Sequence, residues 1–321
     1  MRSERVEFFS GGSRLAGIIH WPEQAAEPPP VLVQGPGWLA LACFSTTDST
    51  SEPYHRGFAE AGFAVLNFDY RGFGGSEGER GWVKPADQVA DIKAALSYVE
   101  TRHDLDASRI GLFGIGGVGA GNAIIATAED ERVKCVAVQA VVADGAQWMR
   151  GMRREYEWVA FRERVLADLR RTVLGEPGEM VDPREELMVA SPERKSEGSR
   201  ATTDKVVGKD FHLATAAHLL AYRPIDVVHR IAPRGLLLTC VEGDVVTPAD
   251  HARALYRAAG SPKKLIVQRG VRHYESYRRN MHVLLPAFVD WYRRFLVSDA
   301  IGVVSSDDSP GTAAETSAVS A

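Results

Sequence analysis

A glycine-rich turn between an apolar strand and a helix is the feature of this sequence that first suggests catalysis. The predicted strand Ile110–Phe113 runs into the segment GIGGVG at 114–119, and a helical pattern follows. This strand–turn–helix setting is that of the nucleophile elbow G-x-S-x-G, whose central serine attacks a carbonyl carbon. Here the central position is Gly116, and residues 109–126 contain no Ser, Cys, Thr or Asp. The sequence therefore excludes an acyl-enzyme at this turn.

An aspartate and a histidine follow two later strands. Asp244 comes after the apolar run Gly235–Val241, and His273 comes after Lys264–Gln268 and a glycine. Ligands of open α/β sheets bind at the carboxyl ends of the strands, where both residues are expected. An aspartate that contacts an imidazole can orient it and stabilise its charged form, an arrangement that suits a general base. The simpler interpretations are a surface histidine stacked on Tyr274 and an aspartate that caps a helix.

The order of apolar runs predicts the elements that position these residues. The later runs are continuously apolar, which is typical of strands covered on both faces. Strands that alternate with helices imply right-handed crossovers, so we predict an α/β fold with a mostly parallel, doubly wound sheet. The predicted strands are Val6–Ser10, Arg14–Trp21, Pro30–Gln34, Phe63–Tyr70, Arg109–Gly114, Val133–Val142, Gly235–Val241 and Lys264–Gln268. The predicted helices are Glu52–Ala61, Pro85–Thr101, Val118–Ala128, Pro248–Ala259 and Met281–Leu296.

One long segment interrupts the alternation. Residues 146–221 show helical spacing and no convincing strand, so we predict a helical cap inserted into a core of residues 1–145 and 222–297. A segment inserted after the carboxyl end of a parallel strand lies over the edge where such sheets bind ligands. The small, polar residues 298–321 are expected to be disordered.

The predicted cap offers residues for substrate recognition. Trp148, Met152 and Tyr156 are expected to line an apolar pocket, although such a stripe can also simply pack the cap onto the core. Asp144, just before the cap, is interpreted as the N-cap of its first helix rather than as a reserve catalytic acid.

Three further segments have the order and spacing of known enzyme motifs. The segment DYRGFGGS at 69–76 fits D-x-R-G-x-G-x-S, EGDVVTP at 242–248 resembles G-x-D-x-x-x-P, and GVRH at 270–273 fits G-x-x-H. Together with the glycine turn, they resemble the α/β-hydrolase superfamily, in particular its dienelactone-hydrolase-like and acyl-peptidase-like branches. The resemblance covers nearly the whole chain outside the predicted cap and tail. It implies that Asp244 is the acid, that His273 is the base, and that Gly116 stands where the family has its nucleophile.

The resemblance also implies an oxyanion hole. The amide of Gly117, at the start of a helix, is expected to stabilise a developing oxyanion together with an amide from Gly37 or Trp38. Pro36 cannot contribute, because it has no N–H.

Two neighbours of the missing nucleophile also depart from the family pattern. Gln34, which we place at the substrate pocket, replaces the histidine that commonly opens the oxyanion segment, and Val118 replaces a small residue. This joint divergence favours a natural loss of the serine over an engineered one. Cys43 or Ser45 could supply a relocated nucleophile, although a loop cysteine packed as a small hydrophobe is the simpler interpretation.

The same glycine turn also fits the dinucleotide-binding pattern G-x-G-x-x-G. That pattern belongs after the first strand of a Rossmann unit, with an acidic residue about 20 positions later. Here three or four strands come first, and Glu129 and Asp130 follow too early. The sequence also lacks CxxC, HExxH and Walker motifs. We therefore predict no cofactor and no metal.

Composition narrows the class of protein. A formal net charge of -4 gives no electrostatic case for binding nucleic acid or an anionic membrane. Three widely spaced cysteines form no disulfide framework, which favours a reducing cytoplasm. No apolar run approaches the roughly 18 residues of a membrane span. We expect a cytoplasmic protein with a small-molecule substrate and no nucleic-acid or membrane partner, and the sequence is compatible with a homodimer.

These observations lead to one preferred function and two alternatives. The preferred function is hydrolysis of a small apolar or aromatic carbonyl compound, with water activated by the His273–Asp244 pair. The same pair would also serve proton abstraction in carbon–carbon bond formation, cyclisation or cleavage. A catalytically inactive ligand-binding protein is the third hypothesis, and retention of both His273 and Asp244 argues against it.

Overall fold

The computed structural model describes residues 2–23, 28–37, 52–189, 191, 193 and 210–297. The strands are β1 Arg2–Ser10, β2 Ser13–Trp21, β3 Pro30–Gly35, β4 Ala64–Phe68, β5 Asp106–Ile115, β6 Val133–Gln139, β7 Met180–Val181, β8 Phe211–His212, β9 Gly235–Val241 and β10 Lys263–Gln268. The helices are α1 Glu52–Glu60, α2 Pro85–Glu100, α3 Gly117–Glu129, α4 Gly145–Gly151, α5 Glu155–Val173, α6 Thr215–Leu220, α7 Ala249–Ala258 and α8 Met281–Leu296. Among the described residues, no helix is both long and apolar enough to cross a bilayer.

Eight strands form one mostly parallel sheet in the order β1-β2-β4-β3-β5-β6-β9-β10. The hairpin β1–β2 and the β2–β4 pair are antiparallel, and every other pair is parallel. Gly35 pairs with Gly114, and Ile115 pairs with Gln139, so the chain leaves β3, β5 and β6 at neighbouring points. The predicted α/β fold is confirmed, and its loops converge at the carboxyl edge of the sheet.

Apolar cores lie on both faces of the sheet. Leu112 of β5 belongs to a core that includes α2 and α3, whereas Phe113 belongs to a core that includes α1 and α8. Successive side chains of a strand point to opposite faces. Burial on both faces is therefore why these strands are continuously apolar in the sequence.

The chain between β6 and β9 adds no strand to the main sheet. The expectation that it contains no strand was wrong in one detail, because β7 and β8 form a small antiparallel pair. Residues 190, 192 and 194–209 of this segment lie outside the described residues, as does the predicted tail 298–321.

The two ends of this segment lie side by side. The N–H of Gly145 donates to the carbonyl oxygen of Tyr222 at 2.8 Å, and the N–H of Ile225 donates to that of Ala143 at 3.1 Å. The Tyr222 hydroxyl also donates to the carbonyl oxygen of Val118 in α3, at 2.8 Å. These bonds form a stem that joins the segment to the helix after the glycine turn.

The segment DYRGFGGS has a structural role. The Asp69 carboxylate accepts a hydrogen bond from the N–H of Gly75 at 2.9 Å, and the Ser76 hydroxyl donates to the Asp69 carbonyl oxygen at 2.6 Å. Arg71 donates from Nε and Nη2 to one carboxylate oxygen of Asp91, at 2.8 and 2.6 Å. This motif therefore braces the chain after β4 and holds it against α2.

Candidate active site

The backbone conformation at the centre of the turn after β5 favours glycine. Gly116 has φ 70° and ψ 136°, close to a region that is populated almost only by glycine. Its N–H donates to the carbonyl oxygen of Gln139 at 3.0 Å. A Cβ placed here would have Gly37 Cα and the Tyr277 hydroxyl oxygen as its nearest atoms, both at 3.8 Å. The constraint is therefore one of backbone conformation and not of space.

The close approach in this turn is at Gly119. A Cβ there would lie 2.0 Å from the carbonyl oxygen of Pro36, so the loop after β3 rests on the first turn of α3. Val118, by contrast, is completely buried in the apolar core.

Two of the expected oxyanion donors lie at this contact. Gly117 is the first residue of α3, so its N–H has no acceptor within the helix. Gly37 lies in the loop that rests on the same helical turn. Trp38, and the alternative nucleophiles Cys43 and Ser45, lie outside the described residues.

Asp244 and His273 form a buried hydrogen-bonded pair. Asp244 Oδ2 is 2.7 Å from His273 Nδ1, and the two residues are 7% and 4% exposed. Asp244 Oδ1 accepts the N–H groups of Val246 and Thr247 at 2.7 and 2.8 Å. The turn after β9 therefore fixes the carboxylate, which in turn fixes the imidazole. His273 is not the exposed surface histidine of the simpler interpretation.

Tyr277 is a site residue that the sequence analysis missed. Its hydroxyl oxygen lies 3.1 Å from His273 Nε2. When an imidazole is neutral and its Nδ1 faces a carboxylate, the ring proton lies on Nδ1. In that state Nε2 accepts the hydrogen bond and the phenol donates it. Burial, and secondarily the charge of Asp244, raise the pKa of Tyr277 well above its ordinary value. The available signal was the spacing of four residues from His273, which can place two side chains on one face of a helical turn.

The histidine loop is tied to the strand next to the glycine turn. The side-chain amide of Gln139 donates to the carbonyl oxygen of Ser276 at 3.2 Å. Ser276 in turn donates its hydroxyl to the carbonyl oxygen of His273 at 2.6 Å. Because the Gln139 carbonyl also accepts from Gly116, one residue at the end of β6 links the two halves of the site.

The three residues predicted to line a pocket have different surroundings. Trp148 is 3% exposed, and its indole N–H donates to the carbonyl oxygen of Val246 at 2.8 Å, so it contacts the turn that holds Asp244. Met152 is half-buried and packs against the core. Tyr156 is 65% exposed, with its hydroxyl near the charged side chains of Arg154 and Glu157. This position does not fit a pocket-lining role.

A break between α4 and α5 explains the error at Tyr156. A single uninterrupted helix through this region would place Tyr156 on the same face as Met152. The structure ends α4 at Gly151 and starts α5 at Glu155, which resets the phase. The buried apolar residues of α5 are Trp158, Phe161 and Val165.

Gln34, which was expected at the substrate pocket, has a buried side chain that contacts α1. It is 1% exposed, and its side-chain oxygen accepts from Nε2 of His55 in α1. Burial, and secondarily the nearby His20, lower the pKa of His55 to about 3. A neutral His55 therefore holds the side chain of Gln34 at the end of β3.

A cavity of about 310 Å³ lies elsewhere, between the segment 146–221 and the loop before α2. It shares no lining residue with the glycine turn or with the Asp244–His273 pair. Its lining residues are Trp82, Asp168, Leu169, Thr172, Gly178, His212, Ala214, Ala217 and His218.

Across the described ranges, no group of three or more His, Cys, Asp or Glu side chains is arranged to hold a metal ion.

The sheet order, the glycine turn and the acid–base pair together define an α/β-hydrolase fold. A crystal structure of the hypothetical protein PA2218 from Pseudomonas aeruginosa aligns with 92% of this chain and 94% of its own, at a TM-score of 0.76 and 22% identity. Residues 11–274 match the X-Pro dipeptidyl-peptidase (S15) family, so the chain belongs to this family.

Two relatives extend the comparison. An uncharacterised 31.7 kDa protein of Escherichia coli, from the traX–finO intergenic region, is 31% identical over 248 residues, or 74% of this chain and 83% of that protein. The thiohydrolase apmlB of Arthrinium phaeospermum is 33% identical over 168 residues, which are 50% of this chain and 51% of that protein. The expectation of an α/β-hydrolase-type enzyme is confirmed at this level.

Proposed function

We propose that this enzyme hydrolyses a small apolar or aromatic carbonyl compound, with the His273–Asp244 pair as general base and water as the nucleophile. One observation carries the proposal: a buried, fully oriented acid–base pair lies beside a turn whose central residue, Gly116, has no side chain. Similarity to a thiohydrolase favours thioesters and esters among carbonyl compounds.

The proposed reaction needs no covalent intermediate. Water attacks the carbonyl carbon and gives up a proton that His273 finally holds, while Asp244 stabilises the imidazolium. The N–H groups of Gly117 and Gly37 stabilise the oxyanion of the tetrahedral intermediate. When the intermediate collapses, the leaving alcohol or thiol takes the proton back from His273. The balance is ester or thioester plus water to acid plus alcohol or thiol.

The test measures turnover of p-nitrophenyl esters and aryl thioesters by single variants. His273→Ala should lower kcat/KM by about 10²-fold or more, because general base catalysis contributes at least that much. Asp244→Asn should have a comparable effect through the wrong imidazole tautomer. His282→Gln changes an exposed histidine and serves as the control.

Two outcomes would contradict the proposal. Full activity of His273→Ala on a substrate that the native enzyme turns over would remove the general base. Hydrolysis in ¹⁸O-labelled water should place one ¹⁸O atom in the acid product, and a product without that label would point away from hydrolysis.

A further inference from the structure

The acceptor nitrogen of the proposed base is occupied by another side chain. His273 Nε2 has one lone pair in the neutral ring, and the Tyr277 hydroxyl lies 3.1 Å from it. A water molecule that reacted directly with Nε2 would have to displace this phenol. Tyr277 is only 6% exposed and belongs to the 3₁₀ turn Glu275–Tyr277.

The same hydroxyl borders the space left by the absent side chain. It lies 3.8 Å from the position of a Cβ on Gly116, the point from which a serine would extend its hydroxyl. Gly37 Cα borders that position at the same distance. The Tyr277 oxygen therefore stands between His273 and the place where a substrate carbonyl would meet the expected oxyanion donors.

We infer that Tyr277 is a proton-relay residue that takes over the contact with His273 that the serine hydroxyl makes in other members of this fold. The inference rests on the proposed function. As water attacks the carbonyl carbon, its proton passes to the Tyr277 oxygen while the phenolic proton passes to His273 Nε2. In the second half of the reaction, the imidazolium returns a proton through Tyr277 to the leaving oxygen or sulfur. Tyr277 is neutral before and after each step.

The surroundings of Tyr277 favour a relay over a covalent tyrosyl intermediate. The hydroxyl is enclosed, and burial raises the pKa of Tyr277, so a free phenolate is costly. A concerted transfer avoids that charge, because the phenol accepts one proton as it donates another. The phenol also retains lone pairs that can accept a hydrogen bond from water while its proton points to Nε2.

The test compares Tyr277→Phe with Tyr292→Phe on the same esters and thioesters. Tyr277→Phe keeps the ring and removes the relay oxygen, so kcat should fall by about 10²-fold or more with little change in melting temperature. Tyr292 is also buried and donates to the carbonyl oxygen of Leu112 at 2.8 Å, so Tyr292→Phe should lower stability and leave kcat intact.

A proton inventory separates a relay from a packing role. A plot of the native rate against the fraction of D₂O in the solvent should curve downwards, since two protons move together. The same plot for the residual rate of Tyr277→Phe should be linear. Unchanged or increased kcat in Tyr277→Phe, with His273→Ala inactive, would overturn the relay and leave the proposed function standing. If Tyr277→Phe and His273→Ala both keep full activity, the proposed function itself is overturned.

A second measurement does not need turnover. The ¹⁵N resonance of the unprotonated nitrogen of His273, assigned with His273→Gln, reports whether it accepts a hydrogen bond. Removal of the phenol in Tyr277→Phe should move this resonance towards that of an unbonded acceptor nitrogen. An unchanged resonance would show that Tyr277 does not bind Nε2 in solution and would overturn the relay.

Discussion

Restoring the missing hydroxyl by Gly116→Ser tests how the site is built. No described atom outside the adjoining residues lies closer than 3.8 Å to the new Cβ, so the main cost is conformational. A non-glycine residue held in a sparsely populated backbone region costs about 1–3 kcal/mol. Each kcal/mol lowers the melting temperature of a domain of 150–250 residues by roughly 2–4 °C. Scanning calorimetry should therefore show a loss of a few degrees with a single cooperative transition.

The reactivity of the new hydroxyl depends on competition for His273. In the native chain Tyr277 already occupies Nε2, so Gly116→Ser alone should react slowly with a fluorophosphonate probe. The double variant Gly116→Ser/Tyr277→Phe frees Nε2 and should label faster. Val118→Gly should give no such gain, because the close approach in this turn is at Gly119.

Peptide mapping by mass spectrometry identifies the labelled residue, and the rate is followed by in-gel fluorescence. Adding His273→Ala to the double variant should abolish labelling, which controls for unspecific reaction. Equal labelling rates in the single and double variants would refute the competition between Tyr277 and the new hydroxyl. Labelling of the native chain at Cys43 or Ser45 would refute water as the nucleophile.

Two further predictions follow from contacts around the site. Trp148→Phe removes the N–H that binds the turn of Asp244, so urea unfolding should show a free energy of unfolding lower by about 1–3 kcal/mol, and activity assays should show a lower kcat. Tyr156→Phe changes an exposed ring and should alter neither quantity. Equal effects of the two substitutions would contradict the role of Trp148. Burial holds the pKa of His55 at about 3, whereas an unfolded histidine titrates near 6.5. The unfolded state therefore binds the extra proton between these values, and the free energy of unfolding should fall with decreasing pH by up to about 1.4 kcal/mol per pH unit. Urea melts of His55→Gln between pH 7 and 4.5 should show a flatter slope, and an unchanged slope would contradict the lowered pKa.

The sheet was predictable because burial on both faces leaves a strong sequence signal. The bounds Gly235–Val241 and Met281–Leu296 were predicted as the structure has them, since both elements have clear apolar patterns. Asp144 was predicted as an N-cap, and it accepts the N–H of Gln147 at 2.9 Å. In each of these cases, the residues of the element itself were sufficient for the prediction.

The parts that failed depend on contacts between distant segments. Tyr156 was misplaced because a short break between α4 and α5 shifts the buried face; the break follows Gly151, a sign that the apolar spacing alone does not include. Tyr277 was missed because its role follows from the space beside Gly116, which only the folded chain brings near. The pairing of Gln34 with His55 likewise joins the end of β3 to α1, and the two residues are 21 positions apart in the sequence.

The stem of the segment between β6 and β9 has a consequence for how much the length of this segment can change. Gly145 and Tyr222 are hydrogen-bonded to each other, so the intervening chain starts and ends at nearly the same point. The entropic cost of a closed loop grows only slowly with its length, so insertions and deletions beyond the stem are thermodynamically cheap. The stem also bonds to the carbonyl oxygen of Val118, which fixes its position relative to the glycine turn. The chain between Gly145 and Tyr222 can therefore change in length at little cost in stability, provided that Trp148 keeps its hydrogen bond to the turn that holds Asp244.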